Sequence, residues 1–143
     1  MDIEKTNKLI QEAPTILWYL QKNDSSESFL PIAFGFECGD GWFAILQELF
    51  NKLEQYAVQN NLDNFYIMQV KEKFGSLRVY TSYENEEISS LIEQAELKSQ
   101  ETCEICGNKG KPNRNGWIST LCKNCRKKTI SVGSNTIPIK PKD

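Results

Sequence analysis

TCEICGNKGKPNRNGWISTLCKNCRKK, residues 102–128, carries two Cys-x-x-Cys pairs in a chain that has no histidine. Cys103, Cys106, Cys122 and Cys125 fall at the spacing C-x2-C-x15-C-x2-C. Two intervening residues let both sulfurs of a pair reach one ion, and fifteen suffice for a hairpin that brings the second pair back. Four thiolates suit the tetrahedral preference of Zn2+ and leave no position for water, which defines a structural site rather than a catalytic one. The expected cofactor is therefore one structural Zn2+; an iron–sulfur cluster or free thiols are the alternatives. WISTL at 117–121 reads as the strand returning to the metal, giving a zinc-ribbon or treble-clef-like module.

The missing histidine excludes a Ser-His or Cys-His catalytic pair and a histidine general base. The formal charge of −2 conceals a split. Residues 1–102 hold 8 Lys+Arg against 17 Asp+Glu, while residues 103–143 hold 9 against 2. The sequence thus reads as an acidic body (1–101), a basic four-cysteine module (102–130) and a flexible tail (131–143). No secretory leader and no apolar run of the roughly 18 residues needed to span a bilayer is visible, so a cytoplasmic protein with no membrane partner is expected.

Moving toward the N-terminus, EEISSLIEQAELKSQ repeats apolar residues at helical spacing, so a helix over 84–100 leads into Cys103. FYIMQV (65–70) and LRVYTSY (77–83) are rich in β-branched and aromatic residues, with KEKFGS between them. They predict an antiparallel hairpin turning near Gly75, with Phe74 and Tyr80 in the core. Trp42, Leu46, Leu49, Phe50, Leu53 and Ala57 form the strongest helical pattern, over 42–59, with Asp40 as its N-cap. IEKTNKLIQE (3–12) predicts a short helix interrupted at Pro14, and TILWYLQ a second one. NDSSES (23–28) reads as a polar loop, and FLPIAFGFECGDG (29–41) as extended chain and turns. The fold class that follows is α+β: helices packed on a β-hairpin or small antiparallel sheet, with the C-terminal zinc module.

Candidate binding residues outside the cysteines fall in three groups. Glu37, Asp40 and Trp42 share the glycine-rich ECGDGW turn; Asp40 also reads as a cap and Trp42 as a core anchor. Lys71, Lys73 and Arg78 surround the hairpin turn, where solvated charge is the plainer reading. Arg126, Lys127 and Lys128 follow the last cysteine, in a cluster able to neutralise phosphates. Glu37, Asp40 and Glu72 would have to converge on an open metal site for nuclease chemistry, and no catalytic residue is assigned. Cys38 reads as a small buried hydrophobe.

In order, ECGDGW, a helix, QVKEKFGSLRVY, a helix ending in TCEICG, and GWISTLC resemble a family of small uncharacterised zinc-finger proteins of tailed phages and bacteria. The resemblance covers roughly residues 34–125. In that family the last ligand is sometimes histidine, where this chain has Cys125. The helix running into C-x2-C-G is also similar to the zinc finger of the DksA/TraR group, regulators that bind RNA polymerase, without the acidic coiled-coil tip of that group. The expected function is non-enzymatic binding through protein contact, as a phage or mobile-element-type adaptor, inhibitor or immunity protein. The alternative is a regulator that contacts nucleic acid or RNA polymerase through the basic module.

Overall fold

A computed structural model describes residues 1–20, 36–113 and 116–131. NDSSES, most of FLPIAFGFECGDG and the 132–143 tail lie outside the described residues. The architecture is α+β, with four α-helices and two two-stranded antiparallel sheets among the described residues.

Helix α1 (Ile3–Glu12) starts under Asp2, whose carboxylate accepts the Lys5 N–H at 2.9 Å, and stops ahead of Pro14. The α-helix expected over TILWYLQ does not form in its described residues: 15–17 is turn and Trp18–Leu20 a short 3-10 helix, while Gln21 lies outside the described residues. The start of this stretch is capped from a distance, because the Glu54 carboxylate accepts N–H bonds from Thr15 and Ile16 at 3.0–3.1 Å. Another 3-10 turn, Asp40–Trp42, leads into α2 (Phe43–Gln59). Asp40 is therefore not the cap predicted for that helix. It sits two residues ahead of the N-cap position, Trp42, and its Oδ1 accepts the Asp2 N–H at 2.8 Å instead.

Strands β1 (Ile67–Lys73) and β2 (Ser76–Thr81) pair from Lys73↔Ser76 outward, leaving Phe74 and Gly75 alone in the turn. Both have positive φ, 53° and 81° respectively, as a two-residue type I′ hairpin demands. Gly75 suits this conformation; Phe74 does not. Phe74 is 68% exposed and Tyr80 40%, so neither belongs to the core predicted for them. The outward pleat of β2 carries Tyr80, and the turn projects Phe74 beyond the sheet. An L-residue with a bulky side chain in the left-handed region costs roughly 1–2 kcal/mol. Phe74→Asn is accordingly expected to stabilise the chain by about 1 kcal/mol, read as a raised midpoint in urea with unchanged slope. A lowered midpoint would reject the turn geometry.

Helix α3 (Glu86–Ser99) begins under Asn85, whose Oδ1 accepts the Ile88 N–H at 2.8 Å. Its last turn closes the free edge of β2, since Ser99 Oγ accepts the Leu77 N–H at 2.9 Å. On the opposite edge Glu37 pairs in parallel with Lys71, through Glu37 N–H to Val70 O and Glu72 N–H to Glu37 O. The main core lies between α1, α2, α3 and the inner face of the hairpin, with Trp42, Phe50, Leu53, Val70, Leu77 and Ile88 at its centre. Cys38 is fully buried in it. A separate small cluster contains Cys103, Leu121, Cys122 and Cys125, flanked by Ile105. Around it β3 (Lys111–Pro112) pairs with β4 (Thr120–Leu121), and α4 (Lys123–Ser131) follows. The strand expected over WISTL shrinks to its last two residues, and α4 had no counterpart in the sequence reading.

Candidate metal centre

The four sulfurs of Cys103, Cys106, Cys122 and Cys125 all lie within 4.8 Å of one another. A tetrahedron of thiolates about 2.3 Å from a zinc ion has an edge of about 3.8 Å. The Cys106–Cys122 sulfur separation, 3.6 Å, is close to that edge. These four side chains could bind a metal ion. Among the described residues they are the one cluster of three or more potential ligands so placed.

Local backbone contacts explain how the chain gathers them. Cys103 N–H bonds Asn108 O at 2.7 Å and Gly107 N–H bonds Cys103 O at 2.9 Å, closing the first knuckle. Cys122 precedes α4 and Cys125 lies in its first turn, so the second pair comes from a helix start. There the Cys125 N–H donates to the Cys122 sulfur at 3.3 Å. That bond is the main reason the Cys122 thiol is lowered to about 7, which favours the thiolate a metal requires. Burial, reinforced by the neighbouring sulfurs, pushes the Cys125 thiol up. The four protons must leave when an ion binds, so occupancy depends on pH.

The knuckle is seated on the ECGDGW turn through a residue the sequence reading passed over. Glu104, between the first two cysteines, is fully buried. Its Oε2 accepts the Gly39 N–H at 2.9 Å, its carbonyl accepts the Gly41 N–H at 2.8 Å, and its own N–H bonds Thr120 O at 3.0 Å. A carboxylate is retained in such a place only when it is bonded. The signal available in the sequence was a lone acid in a basic segment, with a glycine-rich turn upstream. Trp42 is fully buried and its indole N–H reaches Thr102 O at 2.8 Å. Thr120 Oγ1 donates to Gly75 O at 2.6 Å, fastening the hairpin tip to β4.

The other predicted binding residues separate into those engaged internally and those on the surface. Asp40 is bonded to Asp2, and Glu37 is half-buried at the β1 edge. Glu72 Oε2 accepts the Gly75 N–H at 2.8 Å. Arg78 faces Glu96 at 3.7 Å; burial raises the Glu96 carboxyl, and the guanidinium opposes that shift. Arg126 donates to Lys111 O at 2.6 Å and Leu121 O at 3.1 Å, bracing the β3–β4 hairpin. Lys71 and Lys73 place their ammonium groups 5.8 Å from the ring centroids of Tyr80 and Phe74. Lys127 and Lys128 are exposed on α4.

Fold and site together define a candidate metal-binding protein with an α+β body. Compared with known proteins, the chain matches no family model, no curated protein and no solved structure. No described helix is long and apolar enough to cross a membrane.

Proposed function

We propose that the chain is a non-enzymatic zinc-containing binding protein in which one structural Zn2+, held by Cys103, Cys106, Cys122 and Cys125, fixes a basic surface that contacts nucleic acid. All four ligands come from the protein, so the ion would shape rather than react. The order of knuckle, hairpin and helix supports a treble-clef-like reading of the module. One observation carries the choice of partner. Among the described residues of the module, Lys109, Lys111, Lys123, Lys127 and Lys128 are exposed, whereas its single carboxylate, Glu104, is buried and bonded. A surface with that imbalance favours a polyanion.

The test is binding of labelled single-stranded DNA and RNA to the zinc-loaded protein across a salt series. Affinity should fall steeply as salt rises, because cations displace the counterions of phosphates. Replacing Lys127 and Lys128 together by Gln should flatten the log–log slope by about 1.4, at about 0.7 per lost single-strand phosphate contact. Arg126 is left intact because it braces the hairpin.

A second reading keeps the phage- or mobile-element-type adaptor, inhibitor or immunity protein, acting through protein contact. Its support is the exposed acidic surface along and just before α3, with Glu84, Glu86, Glu87 and Glu93 exposed. Absence of nucleic-acid binding at low salt would transfer the assignment to this reading.

A further inference from the structure

We infer that Phe74 at the hairpin tip and Trp117 in the zinc module form a two-ring stacking platform for unpaired bases, so that the nucleic acid bound is single-stranded. The inference rests on the nucleic-acid reading above and specifies its site. Phe74 and Trp117 are 68% and 54% exposed, and both line one groove with Glu72, Lys73, Gly116 and Ile118. The groove encloses about 340 Å³, within the range of small-ligand clefts.

Three features distinguish this groove from incidental exposed apolar surface. First, Phe74 violates two local rules at once, being a large aromatic side chain that is both exposed and in left-handed backbone. Such violations concentrate where function sets the residue. Second, both rings stand on braced backbone. Thr120 Oγ1 holds Gly75 O at 2.6 Å, and Asn113 secures the Trp117 loop by donating to Trp117 O at 2.7 Å and accepting the Ser119 N–H at 2.8 Å. Third, a cation stands beside one of the two rings. Lys73 lies 5.8 Å from the Phe74 centroid, and the carboxylate lining the groove, Glu72, accepts the Gly75 N–H.

Aromatic faces flanked by cations are the common device for holding single strands, because every base presents a π-face and the backbone follows the charge. A duplex keeps its bases stacked on one another and offers the rings nothing equivalent. The platform also explains why the metal centre and the hairpin are fastened together: one ring comes from each.

The experiment uses the full zinc-loaded chain with a short fluorescent oligothymidylate and the corresponding duplex. Phe74→Ala and Trp117→Ala should each weaken single-strand binding roughly 5- to 150-fold at fixed salt, with the salt slope unchanged. Phe74→Asn, which suits the turn, should weaken binding as Phe74→Ala does while raising thermal stability, which excludes misfolding as the cause. Wild-type affinity in both ring variants, with the loss on neutralising Lys127 and Lys128 intact, overturns the platform and leaves the nucleic-acid reading standing. Absence of any binding by the wild type at low salt removes that reading and the platform with it. Duplex binding as tight as single-strand binding, or competition by polyglutamate equal to that by oligothymidylate, also overturns the inference.

Discussion

If the four cysteines hold zinc as proposed, replacing Cys103 by Ser should lower bound zinc from about one ion per chain to near none and unfold the knuckle, the β3–β4 hairpin and α4 together. The physical reason is the size of the second cluster. Beyond its cysteines it holds Leu121 and the partly buried Ile105. Burying one or two aliphatic side chains supplies about 1.5–3 kcal/mol each. That is far too little to offset the backbone entropy lost in ordering the module. Structural zinc sites supply apparent binding energies of about 10–16 kcal/mol at neutral pH, so removing one ligand removes the main source of order.

The body should survive this loss. Leu46, Phe50 and Leu53 pack in the main core, which contains none of the four clustered cysteines. Zinc quantification with far-ultraviolet circular dichroism checks both halves of the expectation: metal disappears while helix signal from α2 and α3 persists. Chelation of the wild type should reproduce the variant. A full equivalent of zinc retained by Cys103→Ser would reject the ligand assignment. Collapse of the whole helix signal would show that the two clusters fold as one unit.

Gly41→Ala should be nearly as damaging, although it replaces no cysteine. A Cβ at Gly41 would lie 2.1 Å from the Cys103 carbonyl oxygen and 2.6 Å from the Glu104 carbonyl carbon. Both are backbone atoms, so no rotamer change relieves the overlap. The Gly41 N–H bond to Glu104 O, 2.8 Å long, would be lost as the knuckle is pushed away. Overpacking typically costs 1–3 kcal/mol, and a backbone collision belongs at or above the top of that range. The expected result is a melting temperature lowered by on the order of 10 °C together with weakened zinc retention against a competing chelator. Near-wild-type values for both would mean that the knuckle does not rest on the ECGDGW turn.

Much of this protein is legible in its sequence because the signals are local. Two Cys-x-x-Cys pairs at fixed separation specify which four side chains converge, and those four sulfurs do lie together. Apolar residues three and four apart specify α2 and α3, and runs of β-branched residues around Gly75 specify the β1–β2 hairpin. Each of these patterns is set by neighbours a few residues away, or by the reach of a short loop.

The tertiary structure decided what no local pattern encodes: which groups meet across long stretches of chain. Asp40 looked like a cap by position, but an N–H thirty-eight residues upstream takes its carboxylate. Arg78 and Arg126 looked like surface cations, but Glu96 in one case and the Lys111 and Leu121 carbonyls in the other lie within reach. Phe74 looked like core by composition; pairing that continues to Lys73↔Ser76 leaves it in a two-residue turn with its ring in solvent. The spacing of the cysteines selected the four side chains that could hold a metal ion. The attachment of that cluster to the body depends on Glu104 finding Gly39 and Gly41 some sixty residues away, whose N–H groups donate to its carboxylate and its carbonyl, partners that only the folded chain brings together.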